Sequence, residues 1–202
     1  MNRTISSVDW KQEIADKLRM QIETCTKCDL HQTRTNPVPG EGCLDTDIMF
    51  VGEGPGKNED LQGVPFVGQA GKILDELLGQ IGLNRDLIFI GNTVKCRPPG
   101  NRTPTSFEIE TCKPFLVSQI EIIQPQIIVI MGSAALTSLL GPGRSISKDR
   151  GIPIEKDGIL YFPTYHPAAA LYRRKTLETI QADFNQISRI LEKRKSNNED
   201  KN

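Results

Sequence analysis

The residues most able to do chemistry begin at Gly52-Glu53-Gly54-Pro55-Gly56, with Glu59-Asp60 and Pro65-Phe66-Val67-Gly68 close behind. The glycines let backbone amides approach a small ligand, while Pro55 fixes the turn and rules out an immediate helix. Neither common phosphate loop fits. The dinucleotide fingerprint needs Gly-x-Gly-x-x-Gly opening a helix, and the nucleotide P-loop needs a glycine where Val51 stands and a Ser or Thr where Asn58 stands. The segment therefore reads as a site for something small, with acidic groups and one aromatic ring in reach. Five cysteines, among them the close pair Cys25-x-x-Cys28, point away from disulfides and toward metal or a reactive thiol; two ordinary thiols is the alternative.

The elements that must position these residues alternate. Apolar runs at 48–51, 87–90, 127–131 and 159–162 read as buried strands, the third the most apolar and hence central. Between them, 72–81 is an apolar-faced helix stopped by Gly82. Thr105-x-x-Glu108 is a capping box opening a helix that carries Cys112 and that Pro114 should kink or restart. Ser133 caps a short helix ending at Gly141. Asp9 is an N-cap for a first helix with Trp10, Ile14, Leu18 and Ile22 on one stripe, and 33–44, rich in Pro and Gly, reads as a surface loop. His31 reads as solvated or structural rather than as a metal ligand. A closing helix shows Leu177, Ile180, Phe184, Ile187 and Leu191 at helical spacing.

Strands alternating with helices predict a single three-layer α/β/α domain over 1–194, with a central, mainly parallel four-stranded sheet and a disordered polar tail at 195–202. Ligands of such sheets bind outside the carboxyl ends of the strands. That rule brings the Gly52-Gly54-Gly56 loop, Asn92 and Tyr165-His166-Pro167 to one crevice. Singly, Asn92 could bond a turn, His166 could be structural and Phe66 could be core; their common place at successive strand ends favours a site. The balance of 25 basic against 25 acidic residues excludes a global field for nucleic acid, so any such binding needs a local patch. No apolar run suggests a membrane, and the amino terminus lacks a signal peptide's apolar stretch, so the expected location is cytoplasmic.

Gly52-Glu53-Gly54-Pro55-Gly56 with Glu59-Asp60, then Gly63-x-Pro65-Phe66-Val67-Gly68-x-Ala70-Gly71, resembles the first motif of the family-four uracil-DNA glycosylases, the iron–sulfur branch of that superfamily. The resemblance implies a DNA-repair hydrolase that flips uracil from DNA and hydrolyses its N-glycosidic bond without a lyase step. It implies that Phe66 stacks on the flipped base, that Asn92 pairs with its edge and that His166 donates to the leaving uracil. Glu53 and Glu59 are the carboxylates available to stabilise the sugar cation or orient water, with Glu53 preferred and Glu59 assigned to the wall that excludes the thymine methyl. Distant relatives carry an aspartate at the position of Gly54, so their water-activating group does not transfer.

The same resemblance makes Cys25, Cys28, Cys96 and Cys112 the ligands of one [4Fe-4S] cluster, zinc at the same four being the alternative, and leaves Cys43 over. For DNA, single- or double-stranded, Lys95, Arg97 and Arg102 on one side and Arg173, Arg174 and Lys175 on the other are expected phosphate contacts, with Leu171 as a wedge. The protein is expected to act as a monomer associated with the nucleoid. A silent binder of uracil-containing DNA and an iron–sulfur electron carrier are the competing classes; Glu53, Asn92 and His166 together argue against both.

Overall fold

The structure, a computed structural model, describes residues 7–199. Among them, β2 (Ile48–Gly52), β3 (Phe89–Asn92), β4 (Ile127–Met131) and β6 (Ile159–Thr164) form the parallel core of the sheet. Two antiparallel edge strands, β1 (Glu41–Gly42) on β3 and β5 (Ile154–Lys156) on β6, extend it to six in the order β1-β3-β2-β4-β6-β5. The expected sheet of four is thus corrected to six. β1 is only two residues long, too short for any periodicity, and it forms where Gly40 and Gly42 adopt φ of +120° and +121°. β5 returns through Asp157-Gly158, whose φ values of +52° and +79° are those of a tight hairpin turn.

Three layers follow from the two-residue period of the strands. Ile48, Phe50, Ile127, Val129 and Phe162 face Leu74, Leu77 and Leu78 of α4 (Gln69–Gln80) and Ile180, Phe184 and Ile187 of α8 (Arg174–Glu199). Met49, Val51, Ile128 and Ile130 face Leu116 and Ile123 of α5 (Ser106–Ile123) and Ala135 and Leu136 of α6 (Ser133–Leu140). Each of these Val, Leu, Ile, Phe and Met side chains, wholly buried, stabilises the fold by about 1.5–3 kcal/mol. The third cluster joins Leu18 and Ile22 of α1 (Ser7–Glu23) to Phe115 and Ile122 of α5, around four of the cysteines.

Several local expectations change. The second strand begins two residues late, because Asn84 accepts the Asp86 N–H at 3.0 Å and holds Arg85–Leu87 as a 3₁₀ turn, leaving Leu87 exposed. That shift places Asn92 inside β3, paired with Gly52. α5 runs unbroken through Pro114, its capping box formed as expected by Thr105 and Glu108. Gly132, not Ser133, is the N-cap of α6. α1 starts at Ser7, so Asp9 lies within it, and of its apolar stripe only Leu18 and Ile22 are buried. The segment 33–44 is not all surface: Val38 is buried and its N–H donates to the Lys95 carbonyl at 2.7 Å. Residues 195–199, expected in a disordered tail, continue α8, with the Ser196 hydroxyl donating to the Glu192 carbonyl; residues 200–202 of that tail lie outside the described residues.

Candidate active site

At the carboxyl end of the parallel strands lies a cavity of about 390 Å³. It gathers Glu53, Gly54 and Glu59 from behind β2, Phe66 from the turn before α4, Asn92 from β3 and His166 from behind β6. Its far wall is the loop of Pro98, Asn101, Arg102 and Pro104. Of the residues the strand-end argument selected, Gly54, Gly56, Asn92 and His166 line the cavity, while Gly52, Tyr165 and Pro167 do not.

Gly52 makes the convergence possible. It pairs with Asn92 across the sheet, and a Cβ there would lie 2.5 Å from Asn92 Oδ1 and 2.7 Å from Phe66 Cζ. Gly54 is constrained likewise, its Cβ falling 2.7 Å from Val94, so an aspartate cannot stand there without moving that side chain. Phe66 is held in the left-handed region at φ +54°. Its carbonyl packs on Gly71 of α4, where a Cβ would sit 1.7 Å from it.

Asn92 is 2 % exposed and its side-chain oxygen has no hydrogen-bond partner. An orphaned buried acceptor costs about 1–3 kcal/mol, and a donor on a bound ligand would recover it. The two carboxylates differ in what they do. Glu59 Oε1 accepts the N–H groups of Val67 and Gly68, each at 2.9 Å, so it braces the turn carrying Phe66 and the start of α4. Glu53 accepts no such backbone bonds; burial raises its pKa above the usual carboxylate value, with the Thr103 hydroxyl opposing.

His166 follows a strand end that is tied down from behind. The Thr164 hydroxyl donates to Asp183 Oδ2 at 2.7 Å, and Arg150 donates to both oxygens of Asp183 at 3.2 and 2.6 Å. The imidazole stacks near Phe66, ring centroids 5.3 Å apart and planes at 24°. Its Nδ1 accepts the Ala168 N–H at 3.2 Å, which leaves the neutral ring's proton on Nε2. Burial pulls its pKa down to about 4 against an upward pull from Glu59. The site thus holds a neutral hydrogen-bond donor, an unpaired amide oxygen, a stacking ring and a carboxylate that braces no backbone.

Residues 39–192 match the family model of the uracil DNA glycosylase superfamily. The chain belongs to this superfamily. It is 48 % identical over 185 residues to a type-4 uracil-DNA glycosylase of Sulfurisphaera tokodaii, covering 87 % of this chain and 84 % of that protein. Type-4 uracil-DNA glycosylases of Archaeoglobus fulgidus, 44 % identical over 90 % of this chain and 96 % of the other, and of Thermotoga maritima, 49 % over 81 % and 86 %, are also similar.

Beyond the pocket, Cys25, Cys28, Cys96 and Cys112 line one small hollow with Ile22 and Phe115, while Cys43 lies apart from it. Cys112 Sγ accepts the Lys95 N–H at 3.3 Å and Cys96 Sγ accepts from Arg34 at 3.0 Å. Burial, with Cys96 and Cys28 adding to it, pushes the Cys112 thiol up to about 11 against the downward pull of Lys95, so a thiolate there calls for added positive charge. Among the described residues, no three of His, Cys, Asp and Glu converge on a single-ion site as they stand. His31 Nδ1 lies 2.8 Å from the Cys28 carbonyl, a structural contact.

Lys95, expected on the DNA surface, is instead 1 % exposed. Its ammonium donates to the Asn92 carbonyl at 2.9 Å and to Gln119 Oε1 at 2.5 Å, and Gln119 in turn donates to the Pro39 carbonyl. Arg102 lines the pocket but is held by both oxygens of Glu108, at 2.8 and 2.6 Å. Leu171, Arg173 and Arg174 lie on the surface beyond the His166 turn, beside Tyr172, which is 88 % exposed. Thr103, Arg150, Asp183 and Lys95 were not legible as site supports, since each reaches it through a fold-dependent contact.

Among the described residues no helix is long and apolar enough to cross a membrane. The tautomer of His166 can be checked directly by nitrogen-15 NMR of labelled protein. The ring is expected to remain neutral, with its proton on Nε2, down to about pH 5, because it protonates only near 4. An imidazolium spectrum at about pH 6, where an ordinary histidine is largely protonated, would contradict the assignment.

Proposed function

We propose that this protein excises uracil from DNA, and that the unpaired amide of Asn92 beside a neutral His166 carries this reading. Uracil offers a donor at N3–H, the partner that the Asn92 oxygen lacks. Cytosine presents an acceptor at N3 and an amino donor at C4, which leaves that oxygen orphaned and sets donor against donor. Phe66 provides a face for the flipped base but no discrimination, since every base has a face to stack on.

In the reaction the C1′–N1 bond breaks and both its electrons leave with uracil, so negative charge grows on O2 while the sugar becomes cationic. His166 Nε2–H donates to that oxygen, and being neutral it stabilises the anion without first giving up its own proton. Glu53 is the carboxylate left free to face the cation and orient water, whose oxygen bonds C1′ and whose proton passes to the carboxylate or the departing base. Glu59 holds the wall. Every one of these groups comes from one chain, which supports action as a monomer; the substrate is uracil-containing DNA, single- or double-stranded. Leu171, exposed beyond the His166 turn, would fill the gap left by the flipped base, with Arg173 and Arg174 on neighbouring phosphates.

We infer further that Cys25, Cys28, Cys96 and Cys112 hold a [4Fe-4S] cluster, zinc being the alternative. The donor set fits: four sulfurs around one hollow, with Lys95 N–H and Arg34 donating to two of them. The bound cluster would supply the charge that keeps buried thiolates ionised and would pin the 25–28 turn to the 96–112 segment that forms the pocket wall. Anaerobically purified protein should be brown and contain about four iron and four sulfide per chain; one zinc per chain and no iron would replace the cluster with the alternative. Cys112→Ser should lower the iron content and Cys43→Ser should not.

The function itself is tested with a uracil-containing oligonucleotide followed by alkali, strand scission marking an abasic site. Asn92→Asp should lose on the order of a hundredfold or more in uracil excision and gain measurable excision of cytosine, because buried polar groups left unpaired can discriminate by about ten-thousandfold. An unchanged preference for uracil over cytosine in that variant would place base reading elsewhere.

A further inference from the structure

Phe66 is held in a backbone conformation that bulky side chains avoid, and the surroundings that enforce it converge on one side chain outside the cavity. Arg85, in the 3₁₀ turn before β3, uses all five of its N–H groups. Nη1 donates to the Pro65 carbonyl at 3.0 Å and to Glu41 Oε1 at 2.9 Å. Nη2 donates to the Phe66 carbonyl and to Asp75 Oδ2 at 3.4 Å, while Nε donates to Asp75 Oδ1 at 2.7 Å. The guanidinium is thereby fixed by carboxylates from β1 and α4, and its remaining edge reads two successive carbonyls of the Phe66 turn. On the other side the same Phe66 carbonyl rests on Gly71, where no side chain fits.

We propose that Arg85 is a positioning residue for base capture, a clamp that keeps the Phe66 turn left-handed and its ring aimed over the pocket. A strained backbone persists only where its surroundings over-determine it. Here the over-determination comes from Gly71 on one side and a planar fork on the other. Glu41 gives the two-residue edge strand β1 a purpose, because it presents a carboxylate to Arg85. A lysine cannot replace the fork, since a single ammonium cannot hold two carbonyls and two carboxylates in one plane. Arg85 itself does not line the cavity. Its effect on excision passes through Phe66.

This rests on the reading of Phe66 as the ring that stacks on the flipped base, and the test separates the two. Single-turnover excision of uracil from an oligonucleotide, together with DNA affinity and thermal melting, is measured for Phe66→Ala, Arg85→Lys, Arg85→Ala and the pair Phe66→Ala with Arg85→Lys. Arg85→Lys is expected to melt close to the parent and bind DNA nearly as well, yet to lose on the order of a hundredfold in rate, the size of loss that a misplacement of about 1 Å can cause. Added to Phe66→Ala, it should cost little more. A Phe66→Ala variant with the parent's rate would overturn the stacking reading. With Phe66→Ala slow, the clamp is overturned if Arg85→Lys keeps the parent's rate, or if the two losses multiply. Should Arg85→Ala fail to fold, Arg85→Lys alone decides.

Discussion

The site depends on the bare backbone of Gly52 at the end of β2. Parallel pairing sets Gly52 beside Asn92, and the absence of a side chain lets the Asn92 amide and the Phe66 ring close over the same spot. A methyl group there would overlap both. The Asn92 amide and the Phe66 ring are therefore positioned by one register and one glycine, and the remainder of the molecule keeps each partner from relaxing away.

Three supports do this from different sides. Behind Asn92, the buried Lys95 ammonium grips its carbonyl and is itself oriented by Gln119. Lys95 is followed by Cys96, so β3 leads straight into the cysteine hollow. Behind His166, the Thr164, Asp183 and Arg150 bonds anchor the end of β6 to α8 and to the loop before β5. Around Phe66, Glu59, Gly71 and Arg85 hold a turn that would not keep its conformation alone. On the proposed reading, a neutral His166 and Glu53 supply opposite needs of the same bond cleavage, a donor for the departing anion and a carboxylate for the sugar cation.

Much of this was legible in the chain. Apolar runs ending at Gly52, Gly91-Asn92 and Tyr165-His166 bring those residues to one end of a parallel sheet, where Gly54, Asn92 and His166 line the cavity. The capping box at Thr105 and Glu108 is local chemistry and formed where its spacing placed it. β1 was hidden because two residues carry no period. β5 was signalled by Asp157-Gly158, a tight-turn pair that the polar run around it obscured. Lys95 shows the limit most plainly: a lysine in a polar segment next to arginines reads as surface, and only the fold turns it inward onto the Asn92 carbonyl. Arg85 carries no motif at all, its partners lying on β1, α4 and the Phe66 turn.

The most direct measurement of the central constraint is single-turnover uracil excision by Gly52→Ala, with folding verified by circular dichroism and thermal melting. The added methyl would meet side-chain atoms of Asn92 and Phe66 rather than backbone, so the protein is expected to fold while both groups are displaced from the base. The account predicts a loss on the order of a hundredfold or more in the excision rate. A folded Gly52→Ala protein with the parent's rate and preference for uracil would contradict it.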